Sequence, residues 1–254
     1  MADTWSKNYK NRLGAFGSKE SDSFKNVTKN FINNTFSNSP SYTTAIFDDA
    51  GLDNQSNPIP IDVRLISEKE SDIKKLLFKP QVTKKPGNIA QIGSDYWILL
   101  DFDVRLNDIY PEAIVGKSNE ILKWIDKDLD GNNNQVTRTY RCFVTTRREL
   151  RDFDIEEKRY INLPNGQINV FVQYNANTSE LIEGQRFILG SKVYKIIGID
   201  DITKVIGSVG LLQFLMEIDI IRAEDNFSTQ IAYNGVVYGD SPVPDEGSGT
   251  GKLW

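Results

Sequence analysis

Ile92-Gly-Ser-Asp-Tyr-Trp-Ile-Leu-Leu-Asp-Phe-Asp103 is written a second time, in altered residues, as Leu189-Gly-Ser-Lys-Val-Tyr-Lys-Ile-Ile-Gly-Ile-Asp200. Without a gap, Gly93 aligns with Gly190, Ser94 with Ser191, Trp97 with Tyr194 and Asp103 with Asp200. In each copy a Gly-Ser pair leads into a run of large apolar and aromatic residues that ends at an acid. That is the pattern of a hairpin corner feeding a strand. Two copies predict two similar β modules in tandem.

Outward from these hairpins the apolar period stays near two. Thr44–Phe47, Ile61–Ile66, Ile89–Ile92, Tyr96–Val104 and Gln135–Thr145 read as strands of a first module, with Ile109–Asn119 a strand or a loop plus strand. Residues 67–80 (SEKESDIKKLLFKP) read instead as a helical turn or a long loop. Gln167–Tyr174, Arg186–Leu189, Val193–Ile199 and Gly210–Arg222 repeat the alternation further on. The dense β-branched run in the last of these favours a strand over a helix. Near the start the period changes. Phe24, Val27, Phe31 and Phe36 lie close to helical spacing within Ser21–Phe36, which predicts a helix that packs on a neighbour.

The expected fold class is therefore mainly β: two β-barrel- or sandwich-like modules behind an N-terminal helical segment. The expected division is residues 1–40 as arm and helix, 41–150 as first module, 151–238 as second module, and 239–254 (GDSPVPDEGSGTGKLW) as a flexible tail. Trp97, Trp124 and Tyr194 are the expected structural core. Trp5, Tyr9 and Phe16 on the arm, with Trp254 at the end of the tail, are the expected interface anchors.

Composition narrows the chemistry. The chain has 254 residues, no histidine and one cysteine, Cys142. Histidine triads, imidazole relays and His-ligated metal sites are excluded, and so is an intrachain disulfide. With 30 Lys and Arg against 35 Asp and Glu, the net charge of −5 is the reverse of a phosphate-gripping surface. No apolar run approaches the ~20 residues of a membrane span, and no secretory leader is read at the N-terminus. The expectation is a protein without membrane, cofactor or metal, and not an enzyme.

Two motifs bear on that expectation. Asp126-Lys-Asp128-Leu-Asp130-Gly131 matches the opening of a calcium loop, but the twelfth position, where a bidentate Glu belongs, is Thr137. An acidic hairpin turn accounts for the same residues. The pairs Asp101/Asp103 and Asp200/Asp201 have the residue types of acid–base catalysis, yet they fall at strand ends where acids face water. A carboxylate- or calcium-dependent enzyme is the weakest of three readings, behind a tail or baseplate glycan-binding module with exposed aromatics.

The first reading comes from a resemblance. Asn38-Ser39-Pro40 before an early strand, Pro86-Gly87 with a strand, and Tyr96-Trp97-Ile98-Leu99-Leu100 follow one another. Then come Ser118-Asn119-Glu120-Ile121-Leu122-Lys123-Trp124 and Asp130-Gly131. Later stand Arg186-Phe187-Ile188, Tyr194-Lys195-Ile196, Gly210-Leu211-Leu212 and Asp225-Asn226. In arrangement and phrasing, residues 38–226 resemble neck proteins of tailed bacteriophages, of head-closure, adaptor or lower-collar kind. The resemblance implies a structural virion protein, assembled in the host cytoplasm into a homo-oligomeric ring in the neck. Its partners would be the portal protein and tail proteins, and double-stranded DNA would pass through it without sequence-specific binding.

Overall fold

A computed structural model describes residues 20–48, 59–67, 72–103, 109–127, 135–150, 159–162 and 166–235. Among the described residues, one α-helix, α1 (Glu20–Thr35), runs into a 3₁₀ turn, Phe36–Asn38, the first of two such turns. Six strands follow: β1 (Tyr42–Asp48), β2 (Ile59–Ser67), β3 (Ile73–Phe78), β4 (Ile89–Ile92), β5 (Asp95–Asp103) and β6 (Glu112–Lys117). Nine more complete the described chain: β7 (Glu120–Lys127), β8 (Gln135–Thr145), β9 (Arg147–Leu150), β10 (Arg159–Asn162), β11 (Gln167–Tyr174), β12 (Arg186–Leu189), β13 (Lys192–Asp200), β14 (Val205–Ile206) and β15 (Val209–Ile218). The chain is mainly β, as the alternating runs require. Its contacts divide it into two units, Met1–Asn119 with Phe171–Glu180 and Asp200–Gln213, and Glu120–Val170 with Leu181–Ile199 and Phe214–Trp254.

The first sheet is a closed antiparallel barrel in the order β1-β2-β3-β6-β5-β4, sealed by pairing of β1 with β4. The second sheet runs β7-β8-β11-β15-β13-β12, with β14 paired to β15 and the β9–β10 hairpin apart. Taken in chain order without those additions, both sheets read first-second-third-sixth-fifth-fourth. In the second, β12 lies against β7, making it barrel-like as well. The tandem repeat is thus a repeat of topology, and the quoted motif is its fourth–fifth strand hairpin in each sheet.

The two hairpins coincide in detail at a constant offset. Ile92 pairs with Asp95 across Gly93-Ser94, and Leu189 with Lys192 across Gly190-Ser191. Gly93 and Gly190 both take positive φ, 61° and 58°, which two-residue hairpin turns demand and side chains resist. Upstream, Gly87 and Gly184 sit at φ 87° and 89°. Gly87 N–H donates to Leu99 O and Leu99 N–H to Asn88 O. In the same way Gly184 N–H donates to Ile196 O and Ile196 N–H to Gln185 O. Asn88 and Gln185, both buried, each accept a backbone N–H three residues back, from Lys85 (2.8 Å) and Ile182 (3.4 Å).

Each module has its own core. Phe47, Val63, Leu76, Phe78, Trp97 and Leu99 fill the first barrel, with Phe47 and Phe78 rings 5.9 Å apart. In the second unit Leu122, Trp124, Val170, Phe187, Ile196 and Phe214 are buried. Phe36, fully buried, ends the helical segment. Arg64 lies 4.6 Å over its ring and donates to the carbonyls of Thr35 and Phe36.

Three sequence expectations change. Residues 73–78 form β3 rather than a helical turn or loop: Lys74 extends over the Trp97 ring and Lys75 pairs with Glu112 across the sheet, so two lysines occupy a strand that lacks clean alternation. The long last strand stops at Ile218, eight residues after Gly210, and an irregular segment replaces its continuation. The chain enters the second sheet at Glu120, so β7 and β8, which fall within the expected first module 41–150, pair with each other in that sheet and not in the first.

Candidate functional site

The residues read as core are placed differently from one another. Trp97 on β5 is 3% exposed, and Trp124 on β7 is also buried. The Trp124 ring stacks on Tyr140 at 5.3 Å and meets Phe187 edge-on at 6.1 Å. Tyr194 is half-buried, and burial, together with the Glu120 charge, pushes its hydroxyl pKa up. Neither described tryptophan offers a face to a sugar ring. Trp5, Tyr9, Phe16 and Trp254 lie outside the described residues.

Two of the acidic candidates, Asp200 and Asp126, are engaged in structure. Asp200 accepts the N–H groups of Ile202 (3.1 Å) and Thr203 (2.9 Å), closing the turn after β13. Burial opposes its charge, but those donors and Lys204 outweigh it and hold its carboxyl below the usual range. Asp126, buried, pairs with Arg138 Nε at 3.2 Å, which commits one oxygen of the would-be calcium loop to the β7–β8 hairpin. Asp128, Asp130 and Gly131 lie outside the described residues. Among the described residues no group of three or more acids and thiols is placed to hold a metal ion. Cys142 is fully buried, and burial, reinforced by Glu120, drives its thiol pKa far up, so it is an inert small core residue.

Sequence reading missed the densest polar cluster. Arg186, at the start of β12, is 3% exposed, yet it is surrounded by acceptors. Its Nε pairs with Asp219 Oδ2 at 2.5 Å, and its two terminal nitrogens reach both oxygens of Asp225 at 3.0 and 2.9 Å. The same nitrogens donate to the carbonyls of Tyr233 (2.7 Å) and Ile220 (2.6 Å). Burial alone would weaken the guanidinium, but the two aspartates keep it charged and raise its pKa. Both acids lie more than thirty residues downstream, a separation for which local spacing holds no signal.

Apolar side chains stand exposed at two places. On α1, Phe24 and Phe31 are 67% and 66% exposed, with Val27 between them. On the turn after β13, Ile202 is 83% exposed, and Ile206 on β14 is 70% exposed. That turn is rigid: Asp200 caps it, and Lys204 Nζ donates to Leu100 O at 2.6 Å. No described helix is long and apolar enough to cross a membrane.

Residues 120–217 match the model of a family described as the YomX C-terminal domain, a phage-derived family name. The match begins with β7 and ends within β15, so it spans the whole second sheet and nothing of the first. No curated protein and no solved structure matches the chain. Over its second module, this chain is similar to a phage-associated domain.

Proposed function

We propose that this protein is a structural subunit of a phage neck. Copies assemble into a ring that joins the portal to the tail and helps retain the genome. One observation carries the reading: the strand order of the second module, which is similar to a phage-associated domain, recurs in the first, which that family model does not match. Duplicated rigid modules give a subunit two similar faces to present around a closed ring, where head-to-tail contacts repeat. The role is mechanical, not catalytic. Double-stranded DNA passes without being held, in keeping with the net charge of −5.

The exposed Phe24, Val27 and Phe31, three or four residues apart along one side of α1, and Ile202 on its capped turn are where subunit contacts belong in this reading, because grouped exposed apolar side chains mark interfaces and aromatic anchors carry much of their energy. Mass spectrometry of purified virions, with light scattering of the isolated protein, tests it. The expected result is many copies per particle and a mass in solution far above 28.8 kDa, falling toward the monomer in a Phe24→Ser/Phe31→Ser variant. A protein absent from particles and monomeric with or without the portal overturns it.

A further inference from the structure

The segment that follows β15, residues 219–235, has almost no regular pairing; a single bridge joins Asn226 to Ile231. It is nevertheless ordered by its own hydrogen bonds. Asp225 accepts the N–H groups of Arg222 and Tyr233, and Asn226 accepts those of Ser228 and Thr229. Its attachment to the second module is mostly polar and centres on one residue. Arg186 binds Asp219, Asp225 and the carbonyls of Ile220 and Tyr233, as described above. The Asn234 amide accepts from Arg186 N–H at 2.6 Å and donates to Arg186 O at 3.0 Å, satisfying that residue's backbone as a neighbouring strand would. Asp219 N–H donates to Val193 O. The apolar part of the attachment is small: Ala232 on Ile188 and Val193.

The duplication sets the arginine apart. The residue equivalent to Arg186 in the first module is Ile89, paired with Ile98 as Arg186 is with Lys195. The barrel therefore closes without an arginine at that place. The family match also ends at residue 217, just before the segment begins.

We infer that residues 219–235 form a strap that opens and closes as a unit on the second module, with Arg186 as its latch. The strap is self-ordered, fastened by hydrogen bonds and ion pairs, and covers little apolar surface. Elements of that kind open below the free energy of global unfolding, because each exchanged polar contact is worth little net while apolar burial is what binds elements to a core. Opening bares the Arg186 end of β12 together with Ile188 and Val193. The strap is independent of the neck reading.

Hydrogen exchange of the full chain, read by mass spectrometry, tests the latch. In the native protein, peptides covering 219–235 exchange together and faster than peptides of β12 and β13. In Arg186→Gln the strap peptides exchange at least about tenfold faster still, while those of β5 and β13 keep native protection. Asp225→Asn, which leaves the arginine in place, shifts the same peptides in the same direction and serves if Arg186→Gln does not fold. Strap and barrel peptides that exchange at one common rate in the native protein overturn the inference. So does a variant that loosens both alike, or one that leaves strap exchange unchanged.

Discussion

The β4–β5 hairpin and the β12–β13 hairpin share a backbone and differ in what they bury. Turn glycines, upstream glycines and cross-hairpin hydrogen bonds correspond residue for residue. The equivalent cross-strand pair is Ala90 with Trp97 in the first and Phe187 with Tyr194 in the second. In the first, one small residue makes room for one large ring. In the second, Phe187 takes the buried volume, Trp124 from β7 closes on it, and Tyr194 moves half into solvent. Backbone requirements for a two-residue turn admit few residues, so they persist. Packing requires only that volume be filled, so its residues trade places.

Gly87 and Gly184 offer the sharpest way to break this equivalence. A Cβ at Gly87 would stand 1.7 Å from the Gly210 carbonyl oxygen, whereas a Cβ at Gly184 meets nothing within 4 Å. Gly87→Ala should cost more than about 4 kcal/mol, because backbone must move as well as strain. Gly184→Ala should cost about 1–2 kcal/mol, the penalty of positive φ alone. Denaturant titration of the two variants measures the gap; equal losses would mean that the close approach of Gly210 to Gly87 does not constrain that position.

Aromatic truncation probes the interior difference. Trp97→Ala empties the first core and should cost about 3–5 kcal/mol. Tyr194→Ala removes a ring already half in water and should cost about 1–2 kcal/mol. Thermal melts order the pair, and the reverse order would place the second module's core on Tyr194 instead of Trp124 and Phe187. Gly93→Ala and Gly190→Ala should cost the same, about 1–2 kcal/mol each, since both φ values are positive and neither site crowds a Cβ closer than 3.8 Å.

The smallest effect on the whole chain concerns a feature that only the second module has. At Asp219 and Asp225 burial favours the neutral acid, but Arg186 and backbone N–H donors outweigh it, with Lys195 also facing Asp219; both carboxyls fall below the ordinary 3.8. A depressed carboxylate contributes stability that is complete above its unfolded value and is lost as pH falls through its folded value. The strap should therefore hold unchanged from neutral pH down to roughly 4 and loosen below it. Amide signals of Ala232 and Tyr233 followed by NMR would report this; loosening that begins near pH 6 would contradict the assignment.

Most of the architecture was legible because strands write themselves every second residue. The Gly-Ser repeat disclosed the duplication because glycine takes φ near 60° with less strain than any residue that carries a Cβ. The strand at 73–78 was hidden by adjacent lysines whose stems pack while their charges pair sideways. Phe36 fitted the helical spacing but belongs to the turn after α1, where Arg64, 28 residues on, covers it. Arg186 with Asp219 and Asp225 was invisible for the same reason: its partners are brought together by the sheet and not by spacing. The entry into the second sheet at Glu120 falls in continuous strand-like sequence, with no composition shift to mark it.

The assembly reading stands most directly on electron microscopy of the purified protein, alone and with portal protein. The account predicts closed rings with a central channel, each subunit showing two barrel-like densities. Single particles the size of one chain under both conditions would contradict it.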